Sequence, residues 1–147
     1  MYRVDPLSHT ADVGFEVTAD SLAELFRGAA DGLVRTVREE EGPAGIEAGD
    51  GEAGEDRETI DLDRPDRERL MVAWLRELLY RISRDGRYPE AMTLEMSGPS
   101  SLRARVRWSS SGPEQPPVRD VKGVTYHGLR VEGEENGRWH ARLVLDV

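Results

Sequence analysis

Residues 121–147 read VKGVTYHGLRVEGEENGRWHARLVLDV and form two alternating runs around the dipeptide Asn136-Gly137. Asparagine followed by glycine between such runs is the strongest short-range signal for a tight β-hairpin turn. Because successive side chains of a strand point to opposite faces, the second run presents one apolar face. That face consists of Trp139, Ala141, Leu143, Leu145 and Val147. The stretch therefore predicts an antiparallel hairpin whose second strand is buried on one side.

The predicted second strand ends on two acidic groups. Asp146 lies beside the α-carboxylate of Val147, so two anionic oxygen groups meet where the strand stops. Terminal residues fray unless something ties them down. We therefore expect a binding partner for these charges, and a metal ion is one candidate.

The composition narrows the class of protein. A length of 147 residues favours a single domain, residues 1–147, that is large enough to bury a core. The absence of cysteine excludes disulfides, thiolate metal sites and thiol catalysis. No apolar run approaches the roughly 18 to 20 residues that span a membrane, and the N-terminus lacks a signal-peptide pattern. We expect a cytoplasmic protein with no membrane partner.

The acidity of the chain is concentrated in one segment. The net charge is −9, but residues 39–63 contain eleven acidic residues and one arginine, which leaves +1 for the rest. The global charge therefore does not exclude a ribonucleoprotein partner. Within this segment, residues 39–56 are rich in glycine, alanine and glutamate and offer almost nothing to bury. They predict a flexible acidic surface loop, with a docking tail as the alternative.

Two amphipathic helices are predicted. Ser21 and Glu24 form a capping box, and apolar residues then recur at helical spacing from Ser21 to Arg38. A second helix starts within residues 63–66, with Pro65 suited to its first turn, and stops at Gly86. Its buried stripe comprises Leu70, Ala73, Trp74, Leu78, Leu79 and Ile82.

Alternating segments predict five further strands. They are Tyr2–Leu7, Val13–Thr18, Glu58–Leu62, Ala91–Met96 and Leu102–Trp108. Residues 109–117 show no regular pattern and are read as a loop. The order of elements predicts an α+β fold of two layers, with both helices packed on one face of a mixed β-sheet.

The strand Leu102–Trp108 has a basic outer face. Arg103, Arg105 and Arg107 alternate with apolar residues, so the three arginines lie in register. They could bind a phosphate backbone or an acidic protein partner. The alternative is an exposed sheet face that is kept soluble by charge.

Few polar residues lie at positions that indicate a catalytic or binding site. The chain has no glycine-rich phosphate loop, nucleophile elbow or histidine pair with zinc spacing. The candidates are His9, Thr10 and Asp12 before the second strand, Lys122, Tyr126 and His127 in the hairpin, and Asp146. Lys122 is the only lysine beside 19 arginines, and the two cations are not interchangeable where space is limited.

The combination of motifs resembles the archease family. The motifs are HTADVGFEV at 9–17, LF at 25–26, AA at 29–30, WLRELL at 74–79, VKGVTYH at 121–127 and LDV at 145–147. They span nearly the whole chain in the order that the family has. The resemblance implies a small α/β protein that binds a divalent cation, often calcium.

The resemblance also implies a ligand set. Asp12, Asp146 and the terminal residue Val147 would hold the cation, and His9, Lys122 and His127 would support the site or contact a partner. Carboxylate oxygens without a thiolate suit Ca²⁺ first, with Mg²⁺ or Mn²⁺ as alternatives. No catalytic residue is assigned.

In function, the resemblance implies a protein cofactor of RtcB-type RNA ligases that has no reaction of its own. It would speed guanylylation of the ligase by GTP and permit multiple turnover in tRNA splicing, contact RNA only through the ligase, and act as a monomer or weak oligomer. Two alternatives remain. One is a chaperone or modulator of tRNA methyltransferases that docks through Arg103, Arg105 and Arg107. The other is a metal-assisted hydrolase with His9 or His127 as general base.

Overall fold

A computed structural model describes residues 1–8, 10–49, 56–98, 100–109 and 118–147. Within these ranges the chain forms two helices and eight strands, which confirms the predicted α+β class. In chain order they are β1 (Tyr2–Pro6), β2 (Val13–Ala19), α1 (Leu22–Arg38), β3 (Glu47–Ala48), β4 (Arg57–Asp63), α2 (Arg67–Asp85), β5 (Pro89–Met96), β6 (Ser101–Trp108), β7 (Gly123–Gly133) and β8 (Trp139–Asp146).

The strands form two four-stranded sheets, where the sequence predicted one. The first sheet has the order β1-β2-β8-β7 and is antiparallel throughout. The second has the order β3-β5-β6-β4 and is mixed, because β3 pairs with β5 in parallel. The prediction of a single sheet was wrong. Strand β2 pairs with β8, which is distant in the sequence, and does not pair with the strands that follow it more closely.

The helices contact both sheets, which corrects their predicted position on one face of one sheet. Helix α1 contacts β1, β2 and β8 of the first sheet and β5 of the second, while α2 contacts β7 and β4. A helix between two sheets must be apolar or small on most of its surface. Helix α1 meets this requirement with one exception, since all its buried residues apart from Asp31 are apolar or glycine.

The helix ends follow the predicted capping residues, with two differences in detail. The Ser21 side chain accepts a hydrogen bond of 3.1 Å from the Glu24 backbone N–H, while the Glu24 carboxylate pairs with Arg27 at 2.7 Å. Asp66 caps α2 by accepting from the Arg69 N–H at 2.8 Å. Pro65 thus precedes the N-cap instead of lying in the first turn. Gly86 ends α2 in the left-handed conformation, as predicted.

The terminal hairpin is confirmed, with a longer loop than a two-residue turn. The Glu134 N–H donates to the Arg138 carbonyl at 2.7 Å, and the Gly137 N–H donates back to the Glu134 carbonyl at 3.1 Å. Gly137 has a φ of 83°. It therefore takes the left-handed position of a loop that runs from the end of β7 to the start of β8.

The acidic segment buries more than its composition predicted. Ile46 is 4 % exposed within the core, and Glu47 and Ala48 pair with Ala91 and Met92 of β5. Burial of Ile46 and the pairing of β3 with β5 thus dock this part of the segment on the second sheet. The rest of the predicted flexible loop, 50–55, and the predicted loop residues 110–117 lie outside the described residues. No helix in the described part of the chain combines the length and apolarity needed to cross a membrane.

Candidate metal centre

The pairing of β2 with β8 brings Asp12 and Asp146 to the same end of the first sheet. The last pair in this register is Val13 opposite Leu145. Asp12 lies in the bend directly before β2, and Asp146 is the last residue of β8. Two aspartates that are 134 positions apart in the sequence thus lie at the same end of the sheet.

Strand alternation assigns Asp146 to the face of β8 that points away from α1. Phe15 and Val17 of β2 are buried beneath α1, and their partners Leu143 and Ala141 of β8 are buried with them. Asp146 belongs to the opposite parity on β8, whereas Asp12 precedes β2 and is not placed by this alternation. Asp146 is exposed and Asp12 is half-buried. An ion held between them would be accessible to solvent or to a partner protein.

A local turn orients Asp12. The Thr10 hydroxyl oxygen accepts from the Asp12 backbone N–H at 3.2 Å and lies 3.4 Å from Asp12 Oδ2. Short side-chain-to-backbone bonds of this type fix turns that precede strands. Asp12 also lies at the edge of a cavity of about 660 Å³ between β1, β2 and the C-terminal end of α1.

The backbone of Lys122 secures the end of β8. Its N–H donates to the Asp146 carbonyl at 2.7 Å, and the adjacent Gly123 is paired with Asp146 across β7 and β8. Asp146 is therefore held by the start of β7, with Val147 immediately after it. Lys122 also lines a separate groove beside α2.

One of the two histidine candidates lies further along β7. His127 is four residues from Gly123, the partner of Asp146. It is exposed, and its N–H donates to Thr125 Oγ1 at 3.0 Å where the β7–β8 pairing becomes irregular. His9 lies outside the described residues.

The donor set at this end consists of oxygen. Among the described residues no group of three or more histidine, aspartate or glutamate side chains could hold a metal ion. The set that the family resemblance implies, two carboxylates together with oxygens of Val147, would fit a hard divalent ion and would not fit a soft metal.

The predicted basic face of β6 is neutralised. Arg103 forms an ion pair of 2.7 Å with Asp61 of β4. Arg105 and Arg107 lie 3.7 and 3.8 Å from Glu95 and Glu90 of β5. Alternating charges of this kind keep an exposed sheet soluble, and they leave little positive potential for a phosphate backbone.

A buried carboxylate that the sequence interpretation overlooked lies in α1. Asp31 is fully buried and accepts hydrogen bonds from the Tyr2 hydroxyl, from Arg35 Nε and from the Ala44 N–H. The aspartate four residues before Arg35 was the available signal, because this spacing favours an ion pair on a helix.

The chain matches a known family over nearly its full length. The model of the Archease protein family (MTH1598/TM1083) matches residues 5–147. The protein archease of Methanosarcina acetivorans is 32% identical over 150 residues, which cover 99% of this chain and 96% of that protein.

Two solved structures share the fold. The solution structure of protein 1598 of Methanobacterium thermoautotrophicum has a TM-score of 0.66 at 21% identity, covering 98% of each chain. The crystal structure of an archease from Thermotoga maritima, described as a possible chaperone, has a TM-score of 0.56 at 19% identity and covers 97% of this chain and 96% of that one. The chain therefore belongs to the archease family.

Proposed function

We propose that this chain is a cytoplasmic protein cofactor of an RtcB-type RNA ligase and catalyses no reaction of its own. It promotes guanylylation of the ligase by GTP and sustains its repeated turnover in tRNA splicing or RNA repair. Membership of the archease family supports the proposal, and the observation that carries it is the β2–β8 pairing, which ends next to Asp12 and Asp146 at one end of the first sheet. The protein acts as a monomer or a weak oligomer.

Asp12, Asp146 and the terminal oxygens of Val147 would hold a divalent cation, Ca²⁺ in the first place and Mg²⁺ or Mn²⁺ as alternatives. When bound, such an ion supplies concentrated positive charge and Lewis acidity at this end of the sheet. The chain's own contribution is positional. Thr10 orients Asp12 and the Lys122 N–H holds the Asp146 backbone, and a cation between the two carboxylates would offset their mutual repulsion.

The exposure of Asp146 supports action on a partner. A carboxylate pair at an open sheet end lies where a second protein can reach it, and coordination positions that this chain leaves open are available to water or to the ligase. A hydrolase would need a general base within hydrogen-bond reach of its nucleophile. Among the described residues, His127 forms no hydrogen bond with either aspartate; its backbone N–H donates to Thr125 Oγ1.

A second candidate function is that of a chaperone, because the related Thermotoga maritima structure is described as a possible chaperone. In that function the face with Arg103, Arg105 and Arg107 would contact a tRNA methyltransferase. The ion pairs of this face reduce the charge available for such a contact. Charge reversal at Arg103 separates the two functions, since it should affect a chaperone and leave ligase stimulation unchanged.

The experiment is single-turnover guanylylation of the cognate ligase with GTP, with and without this protein. Wild type should raise the rate, and Asp12→Ala and Asp146→Ala should lose the increase. Asp61→Ala removes an exposed aspartate from the second sheet and should stimulate as wild type does. Full stimulation by both metal-site variants would contradict the proposal, and no stimulation by wild type would redirect attention to the chaperone.

A further inference from the structure

Two exposed tyrosines lie on the surface that α2 forms with the start of β7. Tyr80 is 54% exposed and Tyr126 is 51% exposed. Each ring is covered on one side by a guanidinium: Arg84 lies 5.2 Å from the centre of Tyr80, and Arg76 lies 5.6 Å from that of Tyr126. Stacked guanidinium groups hold these rings in place while leaving about half of each tyrosine in solvent.

Between α2 and β7 runs a groove of about 320 Å³, which we call the α2–β7 groove. Its lining comprises Arg76, Leu79, Tyr80, Ser83, Val121, Lys122 and Gly123. This lining contains two cations and no carboxylate, in a chain whose net charge is −9. The local charge is therefore opposite to that of the whole protein.

The two cations of the groove differ from their neighbours on α2. Arg81 is paired with Glu58 and Glu77, and Arg84 with Asp85. Arg76 instead donates from Nη2 to the Val124 carbonyl at 3.1 Å, a bond that orients the guanidinium without neutralising it. Within the described residues no carboxylate forms an ion pair with Arg76 or Lys122. Both cations remain available to an external anion.

We propose that the α2–β7 groove binds single-stranded RNA directly, with one phosphate on Arg76, the next phosphate on Lys122 and a base on Tyr80. Exposed aromatic rings interleaved with cations are the recurring elements of single-strand binding surfaces, because every base offers a face for stacking. This goes beyond the proposed function, in which RNA is contacted only through the ligase, and it requires neither the ligase nor the metal ion.

The size of the groove favours RNA over a protein partner. A volume of about 320 Å³ is at the lower end of the range for small-molecule pockets and suits one nucleotide. A stable protein interface buries about 800 Å² on each side around an apolar core. Here the large exposed apolar side chains are the two tyrosines, and each already lies against an arginine.

The test measures binding of a fluorescently labelled ten-nucleotide single-stranded RNA by anisotropy, in EDTA and without ligase. We expect wild-type affinity to fall about sevenfold between 50 and 200 mM salt, as release of counterions from two phosphates predicts. Arg76→Ala and Lys122→Ala should each weaken binding and halve the salt dependence. Tyr80→Ala should weaken binding about fivefold or more, whereas Tyr80→Phe, which keeps the ring, should bind as wild type does.

The matched control is Arg103→Ala, which removes an exposed arginine from the second sheet and should not change the affinity. No binding by wild type up to millimolar protein would overturn the proposal, and so would equal losses in Arg76→Ala and Arg103→Ala. A third contrary outcome is RNA binding that is unchanged in the groove variants while stimulation of the ligase is lost. That result would show that the groove binds the ligase protein and not RNA.

Discussion

Tyr2 on β1 donates a hydrogen bond of 2.6 Å to Oδ2 of Asp31, 29 residues away on α1. The other oxygen of Asp31 accepts from Arg35 Nε at 2.6 Å and from the Ala44 N–H at 3.2 Å. Asp31 is fully buried, so each of these bonds replaces one that water would make. The carboxylate thereby joins the first strand, the first helix and the acidic segment.

Removal of the Tyr2 hydroxyl should destabilise the fold. In Tyr2→Phe one oxygen of a buried, ionised carboxylate loses its donor, and a loss of about 1–3 kcal/mol in the free energy of unfolding is expected. The measurement is urea denaturation. Tyr126→Phe, at an exposed ring, is the control and should change the value by less than about 0.5 kcal/mol. Equal stability of Tyr2→Phe and wild type would mean that water or another donor satisfies Asp31.

The same contact predicts a loss of stability at high pH. Burial, and then the hydrogen bond to Asp31, raise the pKa of Tyr2 well above its ordinary value of 10.0. The folded protein therefore keeps a proton that the unfolded chain releases above about pH 10. This stabilisation is fully present below pH 10 and is lost as the pH rises toward the pKa of the folded state.

The direction of this pH dependence is tested by measuring the free energy of unfolding of wild type and Tyr2→Phe between pH 8 and 11. The free energy of unfolding should fall with pH above 10 in wild type and fall less steeply in the variant. A residual slope is expected from Tyr88, because burial raises its pKa as well. Identical slopes of the free energy of unfolding against pH in the two proteins would show that Tyr2 does not contribute to the pH dependence.

Close packing of α1 on β2 depends on Gly32. A Cβ at this position would lie closer than 3.0 Å to the ring of Phe15. Alanine in place of glycine normally gains about 1 kcal/mol within a helix, but overpacking of a core costs about 1–3 kcal/mol. Gly32→Ala should therefore destabilise the protein in urea. Gly42→Ala, where a Cβ meets nothing within 4 Å, should not, and a stabilised Gly32→Ala would show that the two elements can separate without cost.

Glu39 ends α1 in a conformation that favours glycine. Its φ is 52°, and it is the non-glycine residue with positive φ among those described. Its carboxylate also pairs with Arg119 at 3.0 Å. To separate these effects, Glu39→Gly is made in an Arg119→Ala background. There we expect a gain of about 0.5–1 kcal/mol in the free energy of unfolding, since glycine adopts this conformation without the Cβ penalty. A loss would show that the glutamate makes another stabilising contact.

Local signals predicted the elements of the fold well. Ser21, Asp66 and Gly86 mark helix ends because capping depends on the few residues around each end. The Asn136-Gly137 hairpin was predictable for the same reason. Division into two sheets was not, because it depends on the pairing of strands that are far apart in the sequence. Ile46 was missed because one apolar residue in an acidic segment produces no periodic pattern.

The residues of the candidate metal site stay a prediction, and only part of their arrangement could be expected from the sequence. The motif around Asp12 and the penultimate Asp146 could be named from the sequence, but their location at the same end of the sheet follows from the β2–β8 register. Asp31 escaped notice because a single aspartate within a helix has the same local pattern whether its side chain is buried or exposed. The ion pairs of Arg103 and its neighbours depend on cross-strand partners that the sequence of β6 does not contain.

The central claim is that Asp12 and Asp146 together hold a divalent cation. Calorimetric titration of the metal-free protein with Ca²⁺ tests it most directly, with Asp12→Asn, Asp146→Asn and the control Asp61→Asn. We predict one ion per chain in wild type and in the control, no binding in either metal-site variant, and stabilisation of wild type by about 2.7 kcal/mol at a hundredfold excess over the dissociation constant. Binding to Asp12→Asn with unchanged affinity, or no binding to wild type by Ca²⁺, Mg²⁺ or Mn²⁺, would contradict the account.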